Sequence, residues 1–248
     1  MSKKYLRTSD LAQAVGVHPN TVRLYEEWGY LPPVPRSPSG YRMFSARHLA
    51  HMRLARTALQ WPYPGGKDPV LELVRSAAAG DLGTALELAY TYLANVRAEQ
   101  VHAEAAVAFL ERWAKGQATE PRSRPLRIGQ VAQYLGVTTD MLRNWERNGL
   151  LSVPRDPHSG YRVFGAAEIG RVRVIRMLRQ AGYSLMAILR MMLQLDAGQT
   201  HNLRGALDTP RPDEDVYSVA DRWLSTLSAQ EQRAQDVIGQ LETMLQDA

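Results

Sequence analysis

Arg23 and Arg143 occupy the same place in two copies of one segment. Each stands in a short helical pattern, Pro19 to Trp28 or Thr139 to Asn148, that stops at Gly29 or Gly149. A guanidinium so placed can fork onto a phosphate or onto the O6 and N7 edge of guanine. Around Arg23 lie His18, Asn20, Thr21 and Tyr25; around Arg143 lie Thr138, Thr139, Asp140 and Trp145. Asn20 suits adenine, whereas Asp140 suits a cytosine amino group or serves as a helix cap. A second basic and aromatic set follows in each copy: Arg36, Tyr41 and Arg42, then Arg155, Tyr161 and Arg162. These read as phosphate contacts, which hold register while base contacts specify. Arg53 and Arg173, candidate DNA contacts, lie with Arg56 and Arg176 on the next helical pattern, where some of the four are expected at the core edge or in ion pairs. Glu26 and Glu146 are expected to partner a basic side chain rather than to touch nucleic acid. Phe44 and Phe164 are expected to be core.

The elements that would position these residues repeat as a block. Leu6 to Tyr63, moved forward by 120 positions, falls on Leu126 to Tyr183 with 20 of 58 residues identical. Average residue usage would give about three or four. In the first copy Thr8 or Ser9 caps a helix carrying Leu11, Ala12 and Val15, and Gly16 ends it. Pro19 opens a second helix, as suits a first helical position. Two short helices joined at a glycine predict a helix-turn-helix. Four prolines between Leu31 and Pro38 bar a helix. The Ser39-Gly40 turn before Tyr41, Met43 and Phe44 predicts a small β-hairpin, or wing. Ser45 then caps a helix over 46–59. The second copy predicts helices over 128–135 and 139–148, a wing over 153–164, a helix to about Gln180, and another over 186–195.

Charge alternates along the chain. Residues 1–64 hold 9 Lys and Arg against 3 Asp and Glu, and residues 121–190 hold 12 against 4. The segments after them, 65–120 and 191–248, hold 5 against 8 and 4 against 10. A polyanion is drawn to the two copies and repelled by the acidic segment after each. The chain has no cysteine, which excludes disulfides, thiolate zinc sites and iron–sulfur clusters. It has no long apolar run and opens without an apolar signal region, so a cytoplasmic, nucleoid-associated protein is expected, with no membrane partner. No nucleophile–base set or phosphate loop stands out, so no enzyme and no cofactor are expected.

The order of helix-turn-helix, wing ending Ser-Gly-Tyr-Arg-x-Phe, helix, and the cap Gly182-Tyr183-Ser184-Leu185 resembles the MerR family of bacterial transcription regulators. Thr21 to Leu31 and Met141 to Leu151 are similar to that family's recognition-helix signature. The resemblance covers residues 5–64 and 125–195. It implies double-stranded operator DNA as a partner, RNA polymerase at the promoter, and activation by distorting an overlong promoter spacer. It also implies a long helix that pairs antiparallel with a copy of itself.

Such a helix is expected after each copy. Leu93, Val96, Val107 and Leu110 line one side of a helix over 82–113. Val219, Trp223, Leu227, Ile238, Leu241 and Leu245 do so over 215–245. A stripe of that kind needs a partner to bury it. The expected fold is therefore mainly α: two winged helix-turn-helix domains, each followed by a long helix, the two long helices forming an antiparallel coiled coil. The segments are 1–80 (first domain), 81–116 (first long helix), 117–124 (linker), 125–200 (second domain) and 201–248 (second long helix). A monomeric pseudo-dimer on an asymmetric operator is preferred to a homodimer with four DNA-binding heads.

Metal-sensing relatives use cysteines, which this chain lacks. His48 and His51 are three apart, and are expected to be solvated surface positions rather than metal ligands. For a small-molecule effector the candidate pocket is Trp61, Tyr63, Tyr90, Tyr92, Trp113, Tyr217 and Trp223, although core packing explains the same aromatics. The alternative functions are a ligand- or drug-sequestering protein derived from such a regulator, and an architectural DNA binder without an effector.

Overall fold

Gly16 and Gly136 hold φ of +68° and +61°, a left-handed backbone that residues with a Cβ resist. Each therefore turns the chain sharply between two short helices. The computed structural model describes residues 5–118, 124–210 and 219–247. It is mainly helical, at 66%, and contains no strand among the described residues. The helices are α1 (Thr8–Ala14), α2 (Pro19–Glu27), α3 (Ala46–Ala58), α4 (Asp68–Ala79), α5 (Leu82–Ala114), α6 (Ile128–Leu135), α7 (Thr139–Arg147), α8 (Ala166–Gln180), α9 (Leu185–Asp196), α10 (Leu203–Asp208) and α11 (Trp223–Gln246). The chain divides into two units: Met1–Ala98 with Ser228–Ala248, and Glu99–Leu227.

In the first unit, Leu11, Val22, Phe44, Met52 and Leu73 are buried together with Ala89, Leu93 and Val96 of α5 and Ala234, Val237 and Leu241 of α11. Leu6 and Phe44 exchange backbone hydrogen bonds of 2.7 and 3.0 Å, which closes the helix-turn-helix against its following loop. That loop folds back on itself through Ser37 N to Tyr41 O (2.8 Å) and Met43 N to Pro35 O (2.9 Å). It makes a single antiparallel bridge, Arg36 with Arg42, and not a strand pair. Four prolines with no N–H to donate explain why the ladder stops there. Within this unit Tyr90 Oη donates to Glu242 (3.2 Å) and Arg97 Nε to Glu231 (2.8 Å), joining α5 to α11.

In the second unit, Val131, Leu142, Trp145, Phe164, Ile169, Ile175 and Tyr183 form the core with Ala103, Val107 and Leu110 of α5. Leu126 and Phe164 exchange two backbone bonds of 2.9 Å, as their counterparts do. Arg204 and Glu104 form a two-point ion pair, 2.6 Å at Nη1, that ties α10 to α5.

The two histidines depart from expectation. His48 and His51 are not surface positions: they are 6% and 3% exposed. His48 Nδ1 receives the Ser45 N–H at 3.0 Å, which leaves the proton on Nε2, 3.3 Å from the Pro33 carbonyl. His51 bridges α3 to α4, its two ring nitrogens 2.8 and 3.0 Å from the Arg47 and Ala77 carbonyl oxygens. Helix α4 comes after the Trp61–Lys67 segment; the proline-rich run hid it. Leu245, expected on a buried stripe, is 43% exposed. The second long helix begins at Trp223, preceded by a 3-10 turn at Val219–Arg222, and residues 215–218 lie outside the described residues. The carboxylate of Asp208 accepts from Ser225 N at 3.2 Å, so the end of α10 caps the start of α11.

Candidate nucleic-acid interface

The second helix of each helix-turn-helix is capped by the residue just before it. His18 Nδ1 accepts from Asn20 N at 3.2 Å, and Thr138 Oγ1 accepts from Met141 N at 3.1 Å. Val22 and Leu142 bury the inner face, at 0% and 1% exposure. The outer face carries His18, Asn20 and Arg23 exposed with Thr21 half-buried, and Thr138, Asp140 and Arg143 exposed with Thr139 half-buried. Tyr25 and Trp145 do not belong to that face. At 8% and 3% exposure they are core residues, because one turn along from Val22 or Leu142 the apolar face returns. Tyr25 lies edge-on to Tyr30, with ring centroids 5.4 Å apart.

Glu26 and Glu146 clamp the loop to the helix. Glu26 accepts from Arg42 Nε and from Arg36 Nη2, the latter at 2.9 Å. Glu146 accepts from Arg162 Nε at 2.6 Å. Arg42 and Arg162 are thus fastened on one side of the guanidinium, and their side chains are 28% and 29% exposed. Arg155 instead donates to the Gly160 carbonyl at 3.1 Å, within its own loop. The loop tips present Tyr41 and Tyr161, 74% and 60% exposed. Asp156 accepts from Ser159 N (2.7 Å), Ser159 Oγ (2.8 Å) and His158 N (3.0 Å). The bonds from Ser159, backbone then side chain, hold its carboxyl below the ordinary aspartate value.

Arg7 and Arg127 were missed by sequence reasoning about contacts. The Arg127 guanidinium lies 5.1 Å from the Tyr161 ring centroid. In the first unit Arg7, Thr8, Ser9, Ser37, Ser39, Tyr41 and Arg42 line a groove of about 580 Å³. Two guanidiniums and several hydroxyls around one concavity suit a phosphate. The available signal was identity between the copies at Arg7/Arg127 and Ser39/Ser159.

Arg53 and Arg173 face other parts of their own units. Arg53 lines a surface groove with Asp236, Gln240 and Asp247 of the α11 segment. Arg173 Nη2 donates to Tyr134 Oη at 3.0 Å, linking α8 to α6.

The aromatic residues of the expected effector pocket fall in both units. Trp61, Tyr63, Tyr90 and Tyr92 belong to one unit, and Trp113 and Trp223 to the other; Tyr217 lies outside the described residues. Tyr92 is buried and its hydroxyl donates to Gln230 at 2.7 Å; burial pushes its pKa up to about 12. Trp223 Nε1 donates to the Ala181 carbonyl at 2.7 Å, and its ring fills the place where a Cβ on Gly182 would stand. Trp113 packs the same way on Gly170. Tyr92, Trp113 and Trp223 thus serve packing within their own units, whereas Trp61 and Tyr90 are 64% and 49% exposed. Among the described residues no group of three His, Asp or Glu could hold a metal ion.

Comparison with known proteins matches both copies. Residues 7–44 fit the MerR family regulatory protein model, and residues 126–195 fit the MerR HTH family regulatory protein model. The nodulation protein NolA of Bradyrhizobium sp. (strain NC92) is 31% identical over 125 residues, 44% of this chain and 53% of that protein. The mercuric resistance operon regulatory protein of Serratia marcescens is 38% identical over 76 residues, 31% of this chain and 51% of that protein. A probable heavy metal-dependent transcriptional regulator of Haemophilus influenzae is 25% identical over 117 residues, 47% of this chain and 83% of that protein. The chain thus spans about half the length of the first relatives it matches. No solved structure matches. With a family match in each copy of the repeat, the chain carries two MerR-family segments in tandem.

Proposed function

We propose that the protein is a sequence-specific DNA-binding transcription regulator that acts as a single-chain pseudo-dimer on an asymmetric operator. The observation that carries this reading is the doubled interface: an exposed polar helix face and a loop clamped to it by a Glu–Arg pair, built once in each unit. In this reading α2 and α7 enter successive major grooves. His18, Asn20, Thr21 and Arg23 face one half-site, and Thr138, Thr139, Asp140 and Arg143 the other. The loops act as wings, with Tyr41, Arg42, Tyr161 and Arg162 on phosphates beside Arg7 and Arg127.

The long helices α5 and α11 stand in for the paired helices of a dimer, as an antiparallel coiled coil. Support comes from the first unit, where the Tyr90–Glu242 and Arg97–Glu231 contacts run in opposite residue order. Residues 1–80 and 125–200 are then the DNA-binding domains, 81–116 and 201–248 the coiled-coil helices, and 117–124 the linker. The protein works at the nucleoid in the cytoplasm; no helix among the described residues is long and apolar enough to cross a membrane. Distortion of a promoter spacer bound by RNA polymerase is the corresponding mode of action.

Selection from a random DNA pool with the full chain tests this reading. The expected result is a bipartite site with unlike halves, bound by one chain per duplex in sedimentation. Two chains on a perfect palindrome would replace the pseudo-dimer with a homodimer. A chain that enriches no sequence yet binds small aromatic ligands would be a sequestering protein. The salt dependence of binding should be steep, with a slope of about −0.9 for each phosphate neutralised.

A further inference from the structure

The two exposed helix faces differ in charge as well as in residue type. On α2, Asn20 and Arg23 are exposed, and neither side chain has a partner among the described residues. The corresponding residues of α7 are Asp140 and Arg143, and these are joined: Arg143 Nη1 donates to Asp140 Oδ1 at 2.8 Å. Both stay open to solvent, with side chains 52% and 87% exposed for Arg143 and Asp140. Capping does not explain Asp140, because Thr138 already accepts the Met141 N–H. Stability accounts for only a small part of it: a carboxylate in the first turn suits the helix dipole, and an exposed pair one turn apart adds little. Beyond that, the pair holds a donor fork and an acceptor side by side on the outer face of the first half of the helix.

The major-groove edge of a G·C pair has the complementary order. Guanine offers O6 and N7 as acceptors, and cytosine offers the N4 amino group as donor. Arg143 fits the guanine and Asp140 the cytosine. Where no amino group faces it, a carboxylate is repelled by acceptor edges and by the phosphates. Asn20 carries both a donor and an acceptor and has no such requirement.

We propose that Asp140 and Arg143 act as one unit that reads a single G·C base pair, Arg143 selecting the guanine and Asp140 weakening binding wherever no base amino group faces it. The first unit binds through an unpaired Arg23 and tolerates more sequences. This rests on the DNA-binding reading above and deepens it.

The test compares the full-length chain with its Asp140→Asn and Asn20→Asp variants by selection from a random pool, then by competition binding. Asp140→Asn should lose preference at one base pair of one half-site, by about 5- to 150-fold in discrimination. It should bind mismatched sites more tightly and leave the other half-site unchanged. Asn20→Asp should impose a new amino-group requirement on that other half. Unchanged melting temperatures establish that both variants fold. The proposal is overturned if Asp140→Asn keeps the wild-type preference at every position, or weakens all sequences by one common factor. If the wild-type chain enriches no sequence, the DNA-binding reading falls first.

Discussion

The two units share a frame and differ on its surface. Leu6–Phe44 and Leu126–Phe164 close both frames with the same pair of backbone bonds. Gly29 and Gly149 end the second helix in both, with φ of +74° and +76°. Glu26 and Glu146 hold the loop in both. The copies diverge on the outward helix face, His18 against Thr138 and Asn20 against Asp140, and also in the core, Val22 against Leu142 and Tyr25 against Trp145. The core keeps its apolar character while several of its side chains are exchanged for others. What stays identical includes the turn glycines, the Glu–Arg clamp and the exposed Arg and Tyr of helix and loop, so the difference between the units lies in the residues around that shared set.

Removing a shared core residue should break both units alike. Phe44 and Phe164 are 0% and 1% exposed, so Phe44→Ala and Phe164→Ala should each cost about 3–5 kcal/mol in chemical denaturation. A loss confined to one of them would mean that the two frames are not equivalent. A smaller change should affect the second unit alone. Gly182 has φ of +95° and Trp223 lies against it, whereas the first copy has Pro62 at that place. Gly182→Ala combines left-handed strain with overpacking, and should cost about 2–4 kcal/mol. Wild-type stability would show that Trp223 does not pack closely there.

The clamp separates the units more finely. Glu26 holds two arginines, Arg36 and Arg42, whereas Glu146 holds Arg162. Glu26→Gln should therefore lower stability by about 1–2 kcal/mol and Glu146→Gln by about 1 kcal/mol, allowing for partial exposure. Both should weaken DNA binding, because the loop is no longer clamped to the helix. A larger effect at Glu146 would reverse the assignment of the tighter clamp.

Much of this frame was legible because helix signals are local. Glycine stops, Pro19 at a helix start and a period-3.6 apolar stripe place α1 to α3 and α6 to α9 within a residue or two. The Glu–Arg clamps were anticipated only as Glu with a basic partner, since contact across 16 positions leaves no spacing signal. Tyr25 and Trp145 were misplaced because an aromatic beside a recognition arginine looks the same in sequence whether it faces out or in. The gap-free match also hid a shift. Pro35 and Pro154 play one role, as do Tyr41 and Tyr161, so the second loop is one residue longer at its tip. Asp156 supplies the extra turn with its three accepted hydrogen bonds. Identity at the two ends of the loop masked that insertion.

The smallest expected effect distinguishes the units by pH. At the start of α3, His48 Nδ1 accepts the Ser45 N–H; at the start of α8 the Glu168 carboxylate accepts the Gly165 N–H at 2.8 Å. Both complete the same cap with different chemistry. Burial lowers the His48 pKa from its ordinary 6.5, and a proton on Nδ1 would abolish the bond it accepts. Below pH 6.5 the unfolded chain therefore takes up the proton before the folded chain does. Stability of the first unit should fall as pH drops below 6.5, and stop falling once the folded imidazole is protonated too. His48→Gln keeps an acceptor at the cap and has no proton to gain. It should flatten that part of the pH profile in denaturant titrations, while the second unit's profile stays as it was. A variant whose stability still declines over the same range would locate the acid sensitivity elsewhere.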